Sequence, residues 1–225
     1  RVGTAVDLSA YVTEREGYDF TGWYLDAALT QPITSLTLEA DTTVYAGWRI
    51  RNPFVDVAEK DYFYDAVLWG VENGVVKGMD ETHFEPETVC TRAQALTFLW
   101  RANGMPQPKT TTNPFVDVDA SAYYYDAVLW GVENGIVKGM DETHFEPDTA
   151  CSRAHALTFL WRAKGMPQAS GTTFADVPAN AYYAQAVAWG VENGIVKGMD
   201  ETHFEPDTLC QRAHAVTFLW RAYAN

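Results

Sequence analysis

The chain lacks an excess of positive charge, a long apolar run and paired cysteines, and each absence removes a class of function. Its 16 Lys and Arg stand against 30 Asp and Glu, a net charge of −14. The isoelectric point is about 4.6. A chain of that sign carries no electrostatic footprint for nucleic acid and none for an anionic membrane surface. No apolar run approaches the roughly 20 residues needed to span a bilayer, so membrane insertion is not expected. The sequence opens at Arg1 with neither Met nor a signal-like apolar stretch, and reads as a fragment or a mature form.

Catalytic signatures are missing as well. There is no Ser-His-Asp arrangement, nucleotide-binding loop or His-Glu-x-x-His helix. The segment Asp80-Glu81-Thr82-His83-Phe84-Glu85 contains His-x-Glu, but without the Pro-Cys-x-x-Cys that completes a zinc deaminase site. It also lacks the alternating oxygen ligands and sixth-position Gly of a calcium loop, so it reads as a structured acidic loop. The 3 Cys have no close Cys or His partner at metal spacing. Cys90, Cys151 and Cys210 sit at equivalent places in separate units with no reason to meet. They read as small buried hydrophobes, not as a disulfide network. No catalytic site, metal or cofactor is expected.

What the chain does have is a segment used three times. Val-Glu-Asn-Gly, then Val or Ile, then Val-Lys-Gly-Met-Asp-Glu-Thr-His-Phe-Glu-Pro starts at Val71, Val132 and Val191. Each copy runs into a Cys and then an Arg-Ala pair, at Arg92, Arg153 and Arg212. A repeat at intervals of about 60 residues is one supersecondary unit used three times. A catalytic site is built once from different residues, whereas a triplicated unit offers three similar surfaces, which suits binding. An aromatic content of 14%, with 8 Trp and 12 Tyr, fits either a dense core or a sugar-stacking surface.

The second unit, residues 115–162, shows the pattern in detail. After Phe115-Val116-Asp117-Val118, periodicity predicts a helix carrying Tyr123, Ala127, Trp130 and Asn134 on one stripe. Gly131 inside it, matched by Gly70 and Gly190, implies a close helix crossing that admits no side chain. Asn134-Gly135 stops the helix. Phe145 plugs the following loop and Pro147 keeps it non-helical. A second helix begins near Ser152, with Ala156, Leu157, Leu160 and Trp161 as its apolar stripe. Thr91-Arg92-Ala93-Gln94 forms a capping box in the first unit; Ser152 caps the second, and Gln211 is a weaker cap in the third. Two helices in about 45 residues cannot bury both apolar faces alone. Three units packed around a pseudo-threefold axis can.

Phe-x-Asp-Val, a Tyr- and Trp-bearing helix, Gly-Ile/Val-Val-Lys-Gly, Phe-x-Pro and Thr/Ser-Arg-Ala, in that order, resemble the S-layer homology domain. The resemblance covers roughly residues 52–225. It implies a mainly α fold, three helix-loop-helix repeats around a central three-helix bundle, within one chain that is monomeric. It implies non-covalent anchoring of an extracellular protein to the wall of a Gram-positive-type bacterium. The partner is an acidic secondary cell-wall polysaccharide, often pyruvylated, held in grooves between repeats. The same resemblance puts Asp56, Asp117, Asp176, Trp69, Trp130, Trp189, Arg92, Arg153 and Arg212 at those grooves. The family's usual Glu after Arg-Ala is replaced here by Gln94, His155 and His214. An alternative follows from that departure: a surface protein–protein or host-contact module that has lost glycan binding.

Residues 1–49 differ in kind. Gly17-Tyr18-Asp19-Phe20-Thr21-Gly22-Trp23-Tyr24 and Thr43-Val44-Tyr45-Ala46-Gly47-Trp48 resemble the Listeria–Bacteroides repeat, a small β-rich, β-grasp-like module, expected here as a partial copy. A Thr-Thr-Val-Tyr strand is expected near residue 43. The domains expected are 1–49, then repeats at 50–106, 107–167 and 168–225. The two parts are expected to touch, since the link at residues 49–52 is short.

Chemistry gives the Arg residues a second argument. Arg in a first helical turn opposes the helix dipole, so its recurrence needs a reason. The planar fork suits a carboxylate ligand, and free N–H groups at the helix start would help hold it. The competing reading is an ion pair with the Asp of Phe-x-Asp-Val. Lys77, Lys138 and Lys197 are further glycan-binding candidates, each followed by Gly78, Gly139 or Gly198, which permits close approach. Trp69, Trp130 and Trp189 are either sugar-stacking or core, and Trp100, Trp161 and Trp220 read as core. Because net charge opposes an anionic ligand, binding must come from local contacts and weaken little with salt.

Overall fold

The computed structural model describes residues 3–171 and 173–224, which form two compact units divided between Pro53 and Phe54. The first unit holds five strands: β1 Thr4–Asp7, β2 Tyr18–Tyr24, β3 Pro32–Ile33, β4 Ser35–Leu38 and β5 Tyr45–Ile50. β1 pairs antiparallel with β4, and β2 lies between β3 and β5 in a second antiparallel sheet. The expected strand starts at Tyr45, two residues later than the Thr-Thr-Val-Tyr reading placed it. Phe20, Trp23 and Trp48 stack edge to face at 5.4–5.6 Å and form this unit's aromatic centre. Among its described residues there is no helix.

The second unit is built of helix pairs: α1 Tyr64–Glu72 with α2 Arg92–Ala102, α3 Tyr125–Glu133 with α4 Arg153–Ala163, and α5 Ala184–Glu192 with α6 Arg212–Tyr223. The first helix of each pair packs on the second helix of the preceding pair: α3 on α2, α5 on α4, and α1 on α6, which closes the cycle. α2, α4 and α6 pack against one another in the middle. Their apolar residues Leu96, Leu99, Leu157, Leu160 and Val216 are buried almost completely. The in-helix glycines explain how closely the pairs cross. A Cβ on Gly70 would meet Val76 at 2.7 Å and Val216 at 2.9 Å, and one on Gly131 would meet Val137 at 2.9 Å. Gly135, at φ +67°, ends α3 as expected.

Caps follow the sequence reading. Thr91 and Gln94 make the full capping box, Ser152 accepts from the His155 N–H, and Gln211 makes no side-chain cap bond. The cysteines depart from it. Cys90 N–H donates to the Cys210 carbonyl, Cys151 N–H to Cys90, and Cys210 N–H to Cys151, at 2.8–2.9 Å. The three equivalent positions therefore do meet, in a closed backbone ring, because the α2, α4 and α6 starts converge. The thiols remain free and buried. No described helix is long and apolar enough to cross a membrane.

Candidate functional site: the inter-repeat corners

Each Arg at a helix start crosses to the next repeat. Arg92 donates through Nε to the Phe145 carbonyl at 3.0 Å and through Nη2 to the Lys138 carbonyl at 3.1 Å. Arg153 does the same to Phe204 and Lys197, and Arg212 to Phe84 and Lys77. The guanidinium carbons lie 4.5–4.8 Å from the Phe145, Phe204 and Phe84 ring centres. Each Arg is only 3% exposed. Burial pushes all three guanidinium pKa values down from the ordinary value. The group nevertheless stays charged at any physiological pH. Nη1 makes no hydrogen bond among the described residues.

The Asp residues do something else. Asp117 accepts from the Phe145 N–H at 2.9 Å and the Glu146 N–H at 2.7 Å. Asp56 and Asp176 clamp their own loops at the same distances. Glu85, Glu146 and Glu205 each sit at φ of +55 to +57°, a costly conformation for a non-glycine residue, and the clamp holds them there. The ion pair weighed above between this Asp and the Arg is thus not formed. Gly78, Gly139 and Gly198 are needed because a Cβ would strike the loop's own carbonyls and the Phe of Phe-x-Asp-Val.

The first two N–H groups of α2, α4 and α6 are already taken, although Gln211 offers the His214 N–H of α6 no cap bond. Arg92 and Ala93 donate to the Thr149 and Pro147 carbonyls of the next repeat, and the Gln94 N–H donates to Thr91. Arg153 with Ala154, and Arg212 with Ala213, do likewise. For the first two N–H groups of each helix the expectation that they help hold an anion is corrected: the neighbouring loop already uses them.

The Trp residues lie elsewhere. Trp130 borders a hollow of about 310 Å³ with Asn103, Pro106 and Arg162, at the C-terminal ends of α2 and α4. Arg92 and Arg153 start those helices, and 11 residues at 1.5 Å each put the two ends roughly 15 Å apart. Trp130 and Trp189 are 7% exposed, which leaves no ring face for a sugar, while Trp69 is half-buried. Trp100 is core as expected; Trp161 and Trp220 are half-buried. Trp100 and Trp161 spend their indole N–H on the Pro106 and Pro167 carbonyls.

The aromatics that do stand at the corners are Tyr62, Tyr123 and Tyr182, exposed by 56, 59 and 53%. Tyr182, from the third repeat, feels Arg92 from the first and stacks at 6.0 Å on His155 of the second. Tyr62 lies within electrostatic reach of Arg153 and stacks on His214 at 6.3 Å, and Tyr123 lies within electrostatic reach of Arg212. Every corner therefore draws on all three repeats. The stripe reading places Tyr123 inside the helix, but α3 begins at Tyr125 and leaves it exposed; the available signal is an aromatic recurring at the same point of each repeat. Lys77, Lys138 and Lys197 expose their side chains next to the carbonyls that the Arg residues hold. Among the described residues, no cluster of three His, Cys, Asp or Glu is placed to hold a metal.

Comparison with known proteins identifies the repeats. The model of the S-layer homology domain matches residues 53–96, 114–157 and 173–216. The Listeria-Bacteroides repeat domain matches residues 2–47. The chain is 31% identical over 163 residues to the Surface-layer 125 kDa protein of Lysinibacillus sphaericus, covering 70% of the chain and 14% of that protein. It is 29% identical to the S-layer protein sap of Bacillus anthracis, over 74% of the chain and 20% of that protein. It is 25% identical to an amylopullulanase of Thermoanaerobacterium thermosulfurigenes, over 78% of the chain and 10% of that enzyme. The chain thus spans a fifth or less of these relatives. With all three helical repeats matched, the chain belongs to the S-layer homology domain family, preceded by one Listeria-Bacteroides repeat.

Proposed function

We propose that this chain is a non-catalytic module that anchors a bacterial surface protein to the cell wall by gripping an acidic, pyruvylated secondary polysaccharide at its inter-repeat corners. The observation that carries this reading is the recurrence of one corner three times. Each has a buried Arg whose Nη1 makes no hydrogen bond among the described residues, an exposed Lys and an exposed Tyr from a different repeat. A carboxylate fits the two cations, and the Tyr ring offers a face to the sugar that bears it. The cyclic contacts of α1–α6 support a pseudo-threefold arrangement in a single chain, so no second copy is needed to complete a corner. The Listeria-Bacteroides repeat is read as a β-grasp-like spacer. A Gram-positive-type envelope is the setting that supplies such a polymer.

Relatives named as S-layer proteins and as an amylopullulanase carry similar repeats within much longer chains. That distribution fits an anchor that serves different cargoes. The test is cosedimentation of the chain with cell-wall sacculi before and after the secondary polymer is stripped. Capture by intact sacculi alone supports the reading. Equal capture by both, or by neither, defeats it. Because the net charge of −14 opposes the polymer, added salt should leave capture nearly unchanged or improve it.

A further inference from the structure

Away from the corners, the C-terminal ends of α2, α3 and α4 border the hollow of about 310 Å³ that Trp130 lines. Ligand pockets usually run from about 300 to 1,000 Å³, so this one suits a single small ring. Pro106 and Ile136 give it an apolar wall, and Asn103, Trp130, Asn134 and Arg162 bring polar groups to it.

Those groups are partly committed, and what remains defines the ligand. Trp130 is 7% exposed, and its indole N–H makes no hydrogen bond among the described residues. Trp100 and Trp161 spend theirs on the Pro106 and Pro167 carbonyls. A buried indole N–H ordinarily has a partner. Arg162 gives Nη1 to the Ile136 carbonyl at 3.1 Å, and its Nε and Nη2 make no hydrogen bond among the described residues. Asn134 Nδ2 donates to the Trp130 carbonyl at 2.8 Å. Asn103 Nδ2 donates to the Leu99 carbonyl at 2.8 Å and to the Tyr223 hydroxyl at 2.9 Å. Both amides are oriented by these bonds, and each Oδ1 is left as an acceptor with no donor among the described residues.

The electrostatics select a neutral ligand. No carboxylate lines the hollow, and its one cation is Arg162. The carbonyl ends of three helices meet there and carry partial negative charge, which disfavours an anion. Arg162 in turn disfavours a cation. Hydroxyl groups satisfy both sides, because each donates and accepts. They can accept from Trp130 and Arg162 and donate to Asn103 and Asn134.

We propose that this hollow is a separate carbohydrate site, taking one neutral pyranose ring by hydrogen bonding and without ring stacking. It goes beyond the carboxylate grip at the corners and does not rest on it. The matching residues of the third repeat, Asn193 and Arg221, border a hollow of only about 180 Å³, and no counterpart of Asn103 joins them. The site therefore belongs to the junction of the first two repeats.

The experiment follows the indole N–H resonances of the full chain by NMR, isotope-labelled at Trp, during titration with methyl glucopyranoside and with methyl N-acetylglucosaminide. The Trp130 resonance should shift and saturate, with a dissociation constant on the order of 1 mM for so small a ligand. N103A, a change at an exposed residue, and R162K, which keeps the charge but loses the fork, should each weaken binding about fivefold. Thermal midpoints recorded alongside show that both variants are folded. K77A/K138A/K197A should bind both probes as wild type does. No shift of the Trp130 resonance with either probe, or wild-type affinity in both N103A and R162K, overturns the site. Tighter binding of methyl glucuronoside than of methyl glucopyranoside overturns its neutral character. Each of these results leaves the corner reading standing, and loss of sacculus capture with the Trp130 shift retained overturns the corner reading alone.

Discussion

Arg92 of the first repeat holds the Lys138 carbonyl of the second at 3.1 Å, so the cation joins two repeats before it can meet any ligand. The same contact repeats from Arg153 to Lys197 and from Arg212 back to Lys77. A residue with both duties cannot be tested by deleting it.

Arg92→Ala removes two charge-assisted bonds and strands two carbonyls. It should cost about 3–6 kcal/mol. Urea unfolding of the variant should show a lower midpoint, and loss of sacculus binding in that variant would not separate tie from ligand contact. A midpoint equal to wild type would show that the inter-repeat bonds carry no stability.

The helix glycines should rank by the stiffness of what they touch. Gly70→Ala meets two Val methyls at 2.7 and 2.9 Å, whereas Gly190→Ala meets Val196 at 2.9 Å and the ends of Leu157 at 3.1–3.3 Å. Overpacking costs about 1–3 kcal/mol against a helix-propensity gain of about 1 kcal/mol. Both variants should be destabilised, with Gly70→Ala lower in thermal midpoint. The opposite order would mean that the crossings relax freely.

The caps make a graded series. Thr91→Ala breaks the capping box and should cost about 1 kcal/mol, while Gln211→Ala should change stability little, since Gln211 makes no cap bond. Gln211→Ser should raise the midpoint. Circular dichroism melts of the three variants decide this.

The cysteine thiols should be inert. Burial pushes Cys90 and Cys151 up to about 12 and raises Cys210 well above the ordinary thiol value. A thiol raised that far is almost wholly protonated at neutral pH, and the thiolate is the nucleophile. Iodoacetamide at about pH 8 should leave the folded chain unlabelled and label all three positions in urea. Labelling of the folded chain would show that the ring at the helix starts opens.

Much of this fold was legible because its signals are local. The capping box at Thr91, the stop at Asn134-Gly135 and the crossing at Gly131 are each written in adjacent residues, and each stands where the pattern put it. The failures all involve partners far apart in sequence. Arg212 reaches Phe84 across 128 positions, and no local pattern reveals that the first turns of α2, α4 and α6 have their N–H groups taken by a neighbouring loop. The Asp117 clamp at a separation of 28 was hidden for the same reason. Trp130 shows that family order along the chain is not proximity: it lines a hollow with Asn103 and Arg162, at the C-terminal ends of α2 and α4.

The central claim is that the exposed Tyr and Lys side chains at the corners grip the wall polymer together with the buried Arg. The most direct measurement compares Tyr62→Ala/Tyr123→Ala/Tyr182→Ala and Lys77→Ala/Lys138→Ala/Lys197→Ala with wild type, for affinity to intact sacculi and for thermal midpoint together. Stacking losses of about 1 kcal/mol or more per ring at three corners should weaken binding at least tenfold, with the midpoint nearly unchanged. Wild-type affinity in both triple variants, at unchanged stability, would contradict the account.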